Sequence, residues 1–306
     1  MPLIYSIIAP LIIISSVAVY QGEAFTAIET ARLLQNCMLI AGIGTLLQLY
    51  PIWKIGSGLP VVMGISFTFL AACLATASQD YGIMVGAIIV GGCFEGVLGL
   101  TAKYWRKIIS PIVSACVVVS IGLSILNVGV SSFGSSSAYP LGSWQNLLVA
   151  TITLAAALSG GVFGCSPITS FSQNVGLISM THVVNRFTIM FGALAMILGG
   201  LFPPIGAFFT TLPDCVLGGC TVIMFGSIMM SGVRMMHDAG MDQRNTLIAA
   251  TSICLGVGVT QVDGFFNELP SFIGDIFAGN MVAGVFVVGL ILDLCLPRDH
   301  SHYTSM

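Results

Sequence analysis

The chain has 306 residues, of which 56% are hydrophobic and only 7% are charged, and its mean hydropathy is +1.02. Soluble domains carry about 25% charged residues, so this composition excludes a soluble globular protein and indicates a polytopic membrane protein. The net charge of −3 and the lack of a basic run give no indication of nucleic-acid binding. The nine cysteines lie mostly in apolar runs without metal-ligand spacing, and the 36 glycines suit closely packed membrane helices.

Apolar runs long enough to cross a bilayer recur along the whole chain, since a span needs about 20 mostly apolar residues. The first run reads as a span rather than a signal peptide, because no basic n-region precedes it. A Ser- and Gly-rich loop is expected at 128–145 and a Pro-rich loop at 203–213. The predicted spans are 3–19, 33–49, 82–101, 108–127, 146–163, 187–204, 215–233, 246–260 and 280–296.

Two segments break this pattern. Residues 58–70, GLPVVMGISFTFL, begin with a proline and β-branched residues and then alternate polar and aromatic side chains. This alternation favours a short extended segment, although a helix with proline in its first turn fits as well. Residues 165–186, CSPITSFSQNVGLISMTHVVNR, carry a run of hydroxyl and amide side chains. Unpaired polar groups cost several kcal/mol each in lipid, so this run should face protein or a water-filled cavity. Two interrupted segments in corresponding halves of a transporter indicate a binding site near the bilayer midplane.

The basic residues predict the orientation, because Lys and Arg concentrate in cytoplasmic loops. Three uncharged or acidic stretches, 128–145, 203–213 and 262–279, are therefore expected outside. One conflict arises, because the segment 165–181 would have to enter and leave on the same side. The residues expected on the cytoplasmic side are Lys54, the cluster at 103–107, Arg186, Arg234, Arg244 and Arg298.

Residues 173–181, QNVGLISMT, resemble the signature Q/E/P-N-x-G-x-x-x-x-T of the nucleobase–ascorbate transporters, the nucleobase:cation symporter family. Residues 58–70 resemble the first half-strand of that family. Residues 111–126 are similar to its proline-led fifth span, and residues 212–234 are similar to a span late in its chain. The resemblance therefore extends over nearly the whole sequence.

The resemblance implies an all-α polytopic membrane protein with an inverted-repeat (7+7-derived) transporter fold, in which two short half-membrane strands meet at the substrate. The fold is expected to be incomplete, because family members exceed 400 residues. The implied division is a first part of the core domain at 1–104, a partial gate domain at 105–158, a second part of the core domain with the signature at 159–213, and the last core span with the C-terminal gate spans at 214–306.

The resemblance also implies proton- or sodium-coupled uptake of nucleobases. Glutamine at the first motif position resembles the xanthine and uric acid members, and the amide of Gln173 offers a purine edge both a donor and an acceptor. Asn174 is expected mainly to brace the strand. The expected substrate-binding residues are Gln173, Asn174, Phe67, Ser172 and Ser66, with structural roles for Gly176, Thr181, Pro60 and Pro167. No cofactor is expected beyond H+ or Na+ as coupling ion.

The chain departs from the family in its middle. Residues 146–158 resemble the sixth span, and residues 159–176 already resemble the run into the tenth, so spans seven to nine are expected to be missing near Leu158–Gly160. The glutamate that the eighth span supplies in the family has no replacement here. Loss of an odd number of spans would also explain the orientation conflict.

Two acidic residues need separate interpretation. Glu95 lies within a predicted span, where it could handle the coupling proton or, as we favour, serve a structural role between helices. Asp293 lies close to the end of the last span and is expected to face water.

Two functions stay open. One is a purine permease of the bacterial cytoplasmic (inner) membrane, with the lipid bilayer, a small nucleobase and a second copy of the chain as expected partners. The other is a truncated, transport-inactive protein that binds without transporting. An enzyme is not expected, because the sequence lacks HExxH, GxSxG and a plausible acid pair.

Overall fold

The computed structural model describes residues 26–52, 56, 58, 62–64, 73, 81–105, 108–135, 139–162, 186–262, 264–266, 274, 276–277 and 280–297. These residues contain no sheet, which confirms the predicted all-α class. The predicted span 3–19 lies outside them, as does most of the two segments expected to be extended. The helices with described bounds are α1 (Ala27–Leu49), α2 (Tyr81–Trp105), α3 (Pro111–Ser124), α4 (Leu126–Gly134), α5 (Trp144–Val162), α6 (Arg186–Leu201), α7 (Pro203–Thr210), α8 (Asp214–Asp238), α9 (Gln243–Gln261) and α10 (Met281–Cys295).

Each predicted span that falls within the described residues corresponds to a helix, but two predicted loops are partly wrong. The Ser-rich loop at 128–145 contains most of α4, and the Pro-rich loop at 203–213 contains α7. Pro203 and Pro204 occupy the first turn of α7, where proline is favoured because its fixed φ suits a helix start and no amide donor is needed there. Prolines that were interpreted as loop residues therefore begin a short helix.

Four stretches of the described residues are helical, long and apolar enough to cross a membrane: Ala27–Leu49, Gly82–Thr101, Pro111–Gly134 and Cys215–Asp238. Two shorter apolar helices lie at Ile189–Leu201 and Met281–Cys295. These helices agree with a multi-pass membrane protein.

The described residues divide into two compact units. The first comprises the described positions between 26 and 85 together with Ile125–Ile228. In this unit α1 packs along α6 and against α7, and α4 packs against α5. The first half of α8 lies close to α4 and α5: a Cβ added at Gly218 would meet the Phe133 backbone of α4, and one at Gly219 would meet the Ala150 carbonyl oxygen of α5 at 2.9 Å.

The second unit comprises Gly86–Ser124 and the described positions from Met229 onward. Here α10 packs between α9 and α3, and α9 also contacts α3. Small residues allow this close approach, because a Cβ at Gly256 would meet the Val285 backbone nitrogen at 2.7 Å. The buried core of this unit consists of Ile112, Val113, Ala115, Cys116, Val119, Met236, Ile248, Ala249, Met281 and Val285.

Helix α2 is packed much less tightly than the other long helices. Most of its described apolar side chains, among them Ile89, Phe94 and Leu100, are exposed, whereas Met84 near its start is buried. A Cβ added at any of Gly86, Gly91, Gly92, Gly96 or Gly99 would meet no atom of the described residues within 4 Å. In a bilayer such a surface would face lipid or another protein.

Candidate functional site

The residues that sequence analysis assigns to substrate lie outside the described residues. This applies to the signature-segment residues Pro167, Ser172, Gln173, Asn174, Gly176 and Thr181, and to Pro60, Ser66 and Phe67 of the first segment. The structure instead describes parts of their surroundings: Gly58 and 62–64 of the first segment, and Arg186, which follows the signature.

The first segment is held by two helices of the first unit. Val62 is buried and packs with Ala41 of α1 and with Ala193 and Met196 of α6. Residues 62–64 form neither helix nor strand, so their backbone hydrogen-bonding groups must find partners other than those of a regular element.

Thr45 supplies one of these partners from the interior of α1. Its side chain is completely buried, and its Oγ1 accepts a hydrogen bond from the backbone N–H of Met63 at 2.9 Å. The same hydroxyl donates to the Ala41 carbonyl oxygen, one turn earlier in α1, at 2.7 Å. The hydroxyl therefore uses both its donor and one acceptor position, and it fixes the first segment against α1.

Arg186 connects the region after the signature to the start of the first segment. Its Nη2 donates to the carbonyl oxygen of Gly58 at 3.1 Å, although the two residues are 128 positions apart in sequence. Gly58 has a φ of +70°, a backbone conformation that suits glycine. The structure thus brings together the first residue of one predicted site segment and the last residue of the other.

Helices α1 and α6 can hold this arrangement because they approach closely. A Cβ at Gly42 of α1 would meet the Ala193 carbonyl oxygen at 2.9 Å, and a Cβ at Gly200 of α6 would meet the Gln35 carbonyl oxygen at 2.9 Å. At the end of the helix pair, the Tyr50 hydroxyl contacts the Met190 sulfur at 3.4 Å. Backbones in such close contact form a rigid platform for the segment.

Thr45 and Arg186 were not identified as site residues from the sequence. A single threonine within an apolar helix commonly bonds to the carbonyl four residues earlier, so Thr45 gave no signal. Arg186 was used only as an indicator of orientation. The sequence pattern that could have suggested the contact is the glycine and proline within residues 58–60 together with an arginine five positions after the end of the signature.

Glu95, the residue considered for ion coupling, lies in α2 with an exposed side chain. Its neighbours Phe94 and Val97 are exposed as well. The sequence suggested that Glu95 has a structural role between packed helices. Among the described residues, no helix packs against the Glu95 side chain.

A polar cluster occupies one end of the second unit and corrects the prediction for Asp293. This carboxylate is 2% exposed rather than facing water, because Arg244 at the start of α9 donates to its Oδ1 at 2.8 Å. The cluster borders a cavity of about 310 Å³. The cavity is lined by Ile109, Ser110, Pro111, Ile112, Ala239, Arg244, Asn245 and Asp293.

The sequence pattern of the Permease family matches residues 4–160 and 157–265. The chain belongs to this family. This membership confirms the resemblance inferred from the signature, and it identifies the chain as an integral multi-pass membrane transporter rather than an enzyme.

Curated relatives of this permease cover most of its length. It is 26% identical to a putative purine permease of Clostridium perfringens, over 96% of this chain and 87% of the relative. It is 26% identical to the xanthine permease XanQ of Escherichia coli strain K12, over 90% of this chain and 85% of the relative. It is 27% identical to a xanthine permease of Bacillus subtilis, over 92% of this chain and 88% of the relative.

The alignments agree with a large internal gap in this permease. The alignment to the Clostridium perfringens protein has 402 positions, whereas 96% of 306 residues is about 294, so about 108 positions of the relative have no counterpart here. The two family matches meet at residues 157–160, where the sequence predicts the gap. Helix α5 runs without interruption through this point, from Trp144 to Val162.

Proposed function

We propose that this permease transports purine nucleobases of the xanthine and uric acid class. Three observations support the proposal: membership of the permease family, relatives named as xanthine or purine permeases, and glutamine at the first position of the signature. The last observation carries the choice of substrate, because an amide can pair with the donor and acceptor pattern of a purine edge.

In this proposal Gln173 contacts the base, with Ser172, Ser66 and Phe67 completing the pocket and Asn174 bracing the strand. Pro60, Pro167, Gly176 and Thr181 shape the two segments. The hydrogen bond from Arg186 to Gly58 supports the pairing of these segments, because it requires their flanks to be neighbours.

The direct test is uptake of radiolabelled xanthine by cells that lack their own xanthine permeases. Cells that produce the chain should accumulate xanthine, and Gln173→Ala should abolish most of this uptake at equal protein level. Gln243→Ala is the matched control, because it removes an exposed amide at the start of α9. Equal uptake by Gln173→Ala and the unaltered protein would disprove the role of Gln173.

The second candidate function is a binding protein that does not transport. One observation favours it: about 108 positions of the Clostridium perfringens relative have no counterpart in the chain. The family resemblance adds the expectation that the substrate-binding glutamate of the eighth span has no replacement here. Purified protein in detergent would then bind xanthine, measured by equilibrium dialysis, while cells that produce it would never accumulate xanthine. Accumulation above the external concentration would exclude this alternative.

For the transporting form we propose proton coupling, with Glu95 as the candidate carboxylate in α2. A protonophore should then abolish accumulation, and Glu95→Gln should leave xanthine binding intact while uptake loses its dependence on the proton gradient. Sodium-dependent accumulation that persists with the protonophore would indicate Na+ coupling instead.

The bacterial origin of the relatives supports a place in the cytoplasmic membrane of a bacterium, where we expect the protein to form homodimers.

A further inference from the structure

We propose that Thr45 is a positioning residue for substrate. Its hydroxyl sets the location of the first site segment by accepting a hydrogen bond from the Met63 amide. Arg186 fixes the start of the same segment by donating a hydrogen bond to the Gly58 carbonyl oxygen. The proposal rests on the proposed function, because it concerns the segment that would carry Ser66 and Phe67. It assigns a role to residues that are not expected to touch the base themselves.

The first segment has three separate attachments among the described residues. Arg186 holds Gly58, the side chain of Val62 is buried between α1 and α6, and Thr45 holds Met63. Val62 contributes apolar burial, which has little directional preference. The two hydrogen bonds therefore determine the position of the backbone along and across the helix pair.

Water cannot easily replace the Thr45 hydroxyl. The side chain is fully buried, and its Oγ1 simultaneously donates to the Ala41 carbonyl oxygen at 2.7 Å. This second bond orients the hydroxyl so that a lone pair points toward the Met63 amide. Without the hydroxyl, the amide would lose its acceptor in partly buried surroundings, which favours displacement of the segment.

The hydrogen bond between Thr45 and Met63 bears on substrate binding because the proposed pocket residues follow Met63 in the sequence. Met63 lies three positions before Ser66 in the sequence, so we expect displacement of its backbone to change the position of the proposed pocket residue. Binding geometry depends on such support, since a shift of about 1 Å in a site can abolish productive contacts. Loss of the hydroxyl should thus weaken substrate binding without removing any group that contacts substrate.

The experiment compares Thr45→Val, which preserves shape but removes the hydroxyl, with Thr45→Ser, which keeps the hydroxyl. Thr221→Val is the matched control: Thr221 is also fully buried in a helix, but its hydroxyl donates only to Gly218 in its own helix at 2.9 Å. Two quantities are measured on purified protein in detergent: hydrogen–deuterium exchange of peptides that cover residues 58–64, and the dissociation constant for xanthine.

One hydrogen bond changes an equilibrium by about 2- to 10-fold, so Thr45→Val should accelerate exchange of the Met63 amide by this factor and raise the dissociation constant similarly. Thr45→Ser should restore both quantities, and Thr221→Val should change neither. Exchange unchanged in Thr45→Val would overturn the positioning role. Faster exchange with an unchanged dissociation constant would show that the segment does not carry the site.

The proposed function can fail independently of this inference. If the unaltered protein does not bind xanthine, the substrate assignment is wrong, while the exchange measurement still decides whether Thr45 holds the segment. Arg186→Gln is a second variant for the hydrogen–deuterium exchange measurement, because it removes the guanidinium that donates to Gly58. The Arg186 side chain is exposed, so its replacement should leave the fold intact.

Discussion

Arg244 and Asp293 form a buried ion pair that joins the start of α9 to the end of α10, with Nη2 and Oδ1 2.8 Å apart. The guanidinium also donates to the carbonyl oxygens of Asp293 at 2.7 Å and Leu296 at 3.3 Å. Arg244 therefore satisfies carbonyl groups at the C-terminal end of α10, where a positive charge is favoured by the helix dipole. This side chain connects two helices of the second unit through charge as well as hydrogen bonds.

We expect Arg244→Gln to destabilise the protein by about 3 kcal/mol, because it leaves the Asp293 carboxylate buried beside an uncharged partner. Asp293→Asn should cost less, since the Arg244 side chain is 15% exposed and can recover some solvent. Thermal unfolding of the purified protein in detergent measures both changes.

The double variant Arg244→Gln/Asp293→Asn separates the charge interaction from the other contacts. Its loss of stability should be smaller than the sum of the two single losses, because neither variant side chain carries a buried charge. Arg32→Gln, at an exposed position of α1, is the control and should change stability by less than about 0.5 kcal/mol. Strictly additive losses would contradict direct coupling of the pair.

Gly256 is the glycine of α9 that lies closest to the α10 backbone. A Cβ added at Gly256 would meet the Val285 side chain and would lie 2.7 Å from the Val285 backbone nitrogen. We expect Gly256→Ala to cost about 1–3 kcal/mol, because the helices must separate to accommodate the methyl group. Thermal unfolding in detergent again provides the measurement.

Gly258 offers a control in the same helix, two positions later. A Cβ there would meet nothing among the described residues within 4 Å, so Gly258→Ala should be neutral or slightly stabilising through its better helix propensity. Equal loss of stability in the two variants would show that the damage comes from the α9 backbone rather than from the contact with α10.

The sequence predicted the helices well because hydrophobicity identifies segments that lie in a bilayer, and the backbone polar groups of such segments must be hydrogen-bonded within a helix. It placed a span at each long apolar helix among the described residues, and the bounds differ by up to about seven residues: α1 begins at Ala27 rather than 33, and the stretch that begins at Pro111 continues to Gly134 rather than 127. It also predicted an internal gap near Leu158, since a signature and the spans around it have a fixed order within a family.

Features that depend on contacts between distant residues could not be predicted in this way. Asp293 looked like a residue near the membrane edge, because nothing in the sequence indicates that Arg244 lies beside it. Thr45 and Thr221 both lie in apolar helical sequence shortly after glycine residues, but among the described residues Thr45 accepts a hydrogen bond from a backbone amide of another segment and Thr221 does not. The misassigned loop at 203–213 has a local cause, since proline both ends and begins helices.

Asn146 leads to the final prediction, because its buried side chain holds the loop between α4 and α5. Its Nδ2 donates to the carbonyl oxygens of Gly134 at 3.0 Å and Pro140 at 3.2 Å. Asn146→Ala removes the donor from the buried Gly134 carbonyl group and from the more exposed Pro140 carbonyl group, and the loss of the buried bond should cost about 1–3 kcal/mol. The loop should also become more susceptible to proteolysis, since its ends are no longer held together.

Limited proteolysis in detergent, read by mass spectrometry of fragments that end within residues 135–143, measures this effect. Gln145→Ala is the control, because it shortens the neighbouring amide side chain, which is only partly buried, and leaves Asn146 in place. We expect faster cleavage at the loop in Asn146→Ala alone, with cleavage between α8 and α9 unchanged as an internal reference. A general increase in cleavage along the chain would indicate global unfolding, and an unchanged loop rate would show that other contacts hold the loop closed.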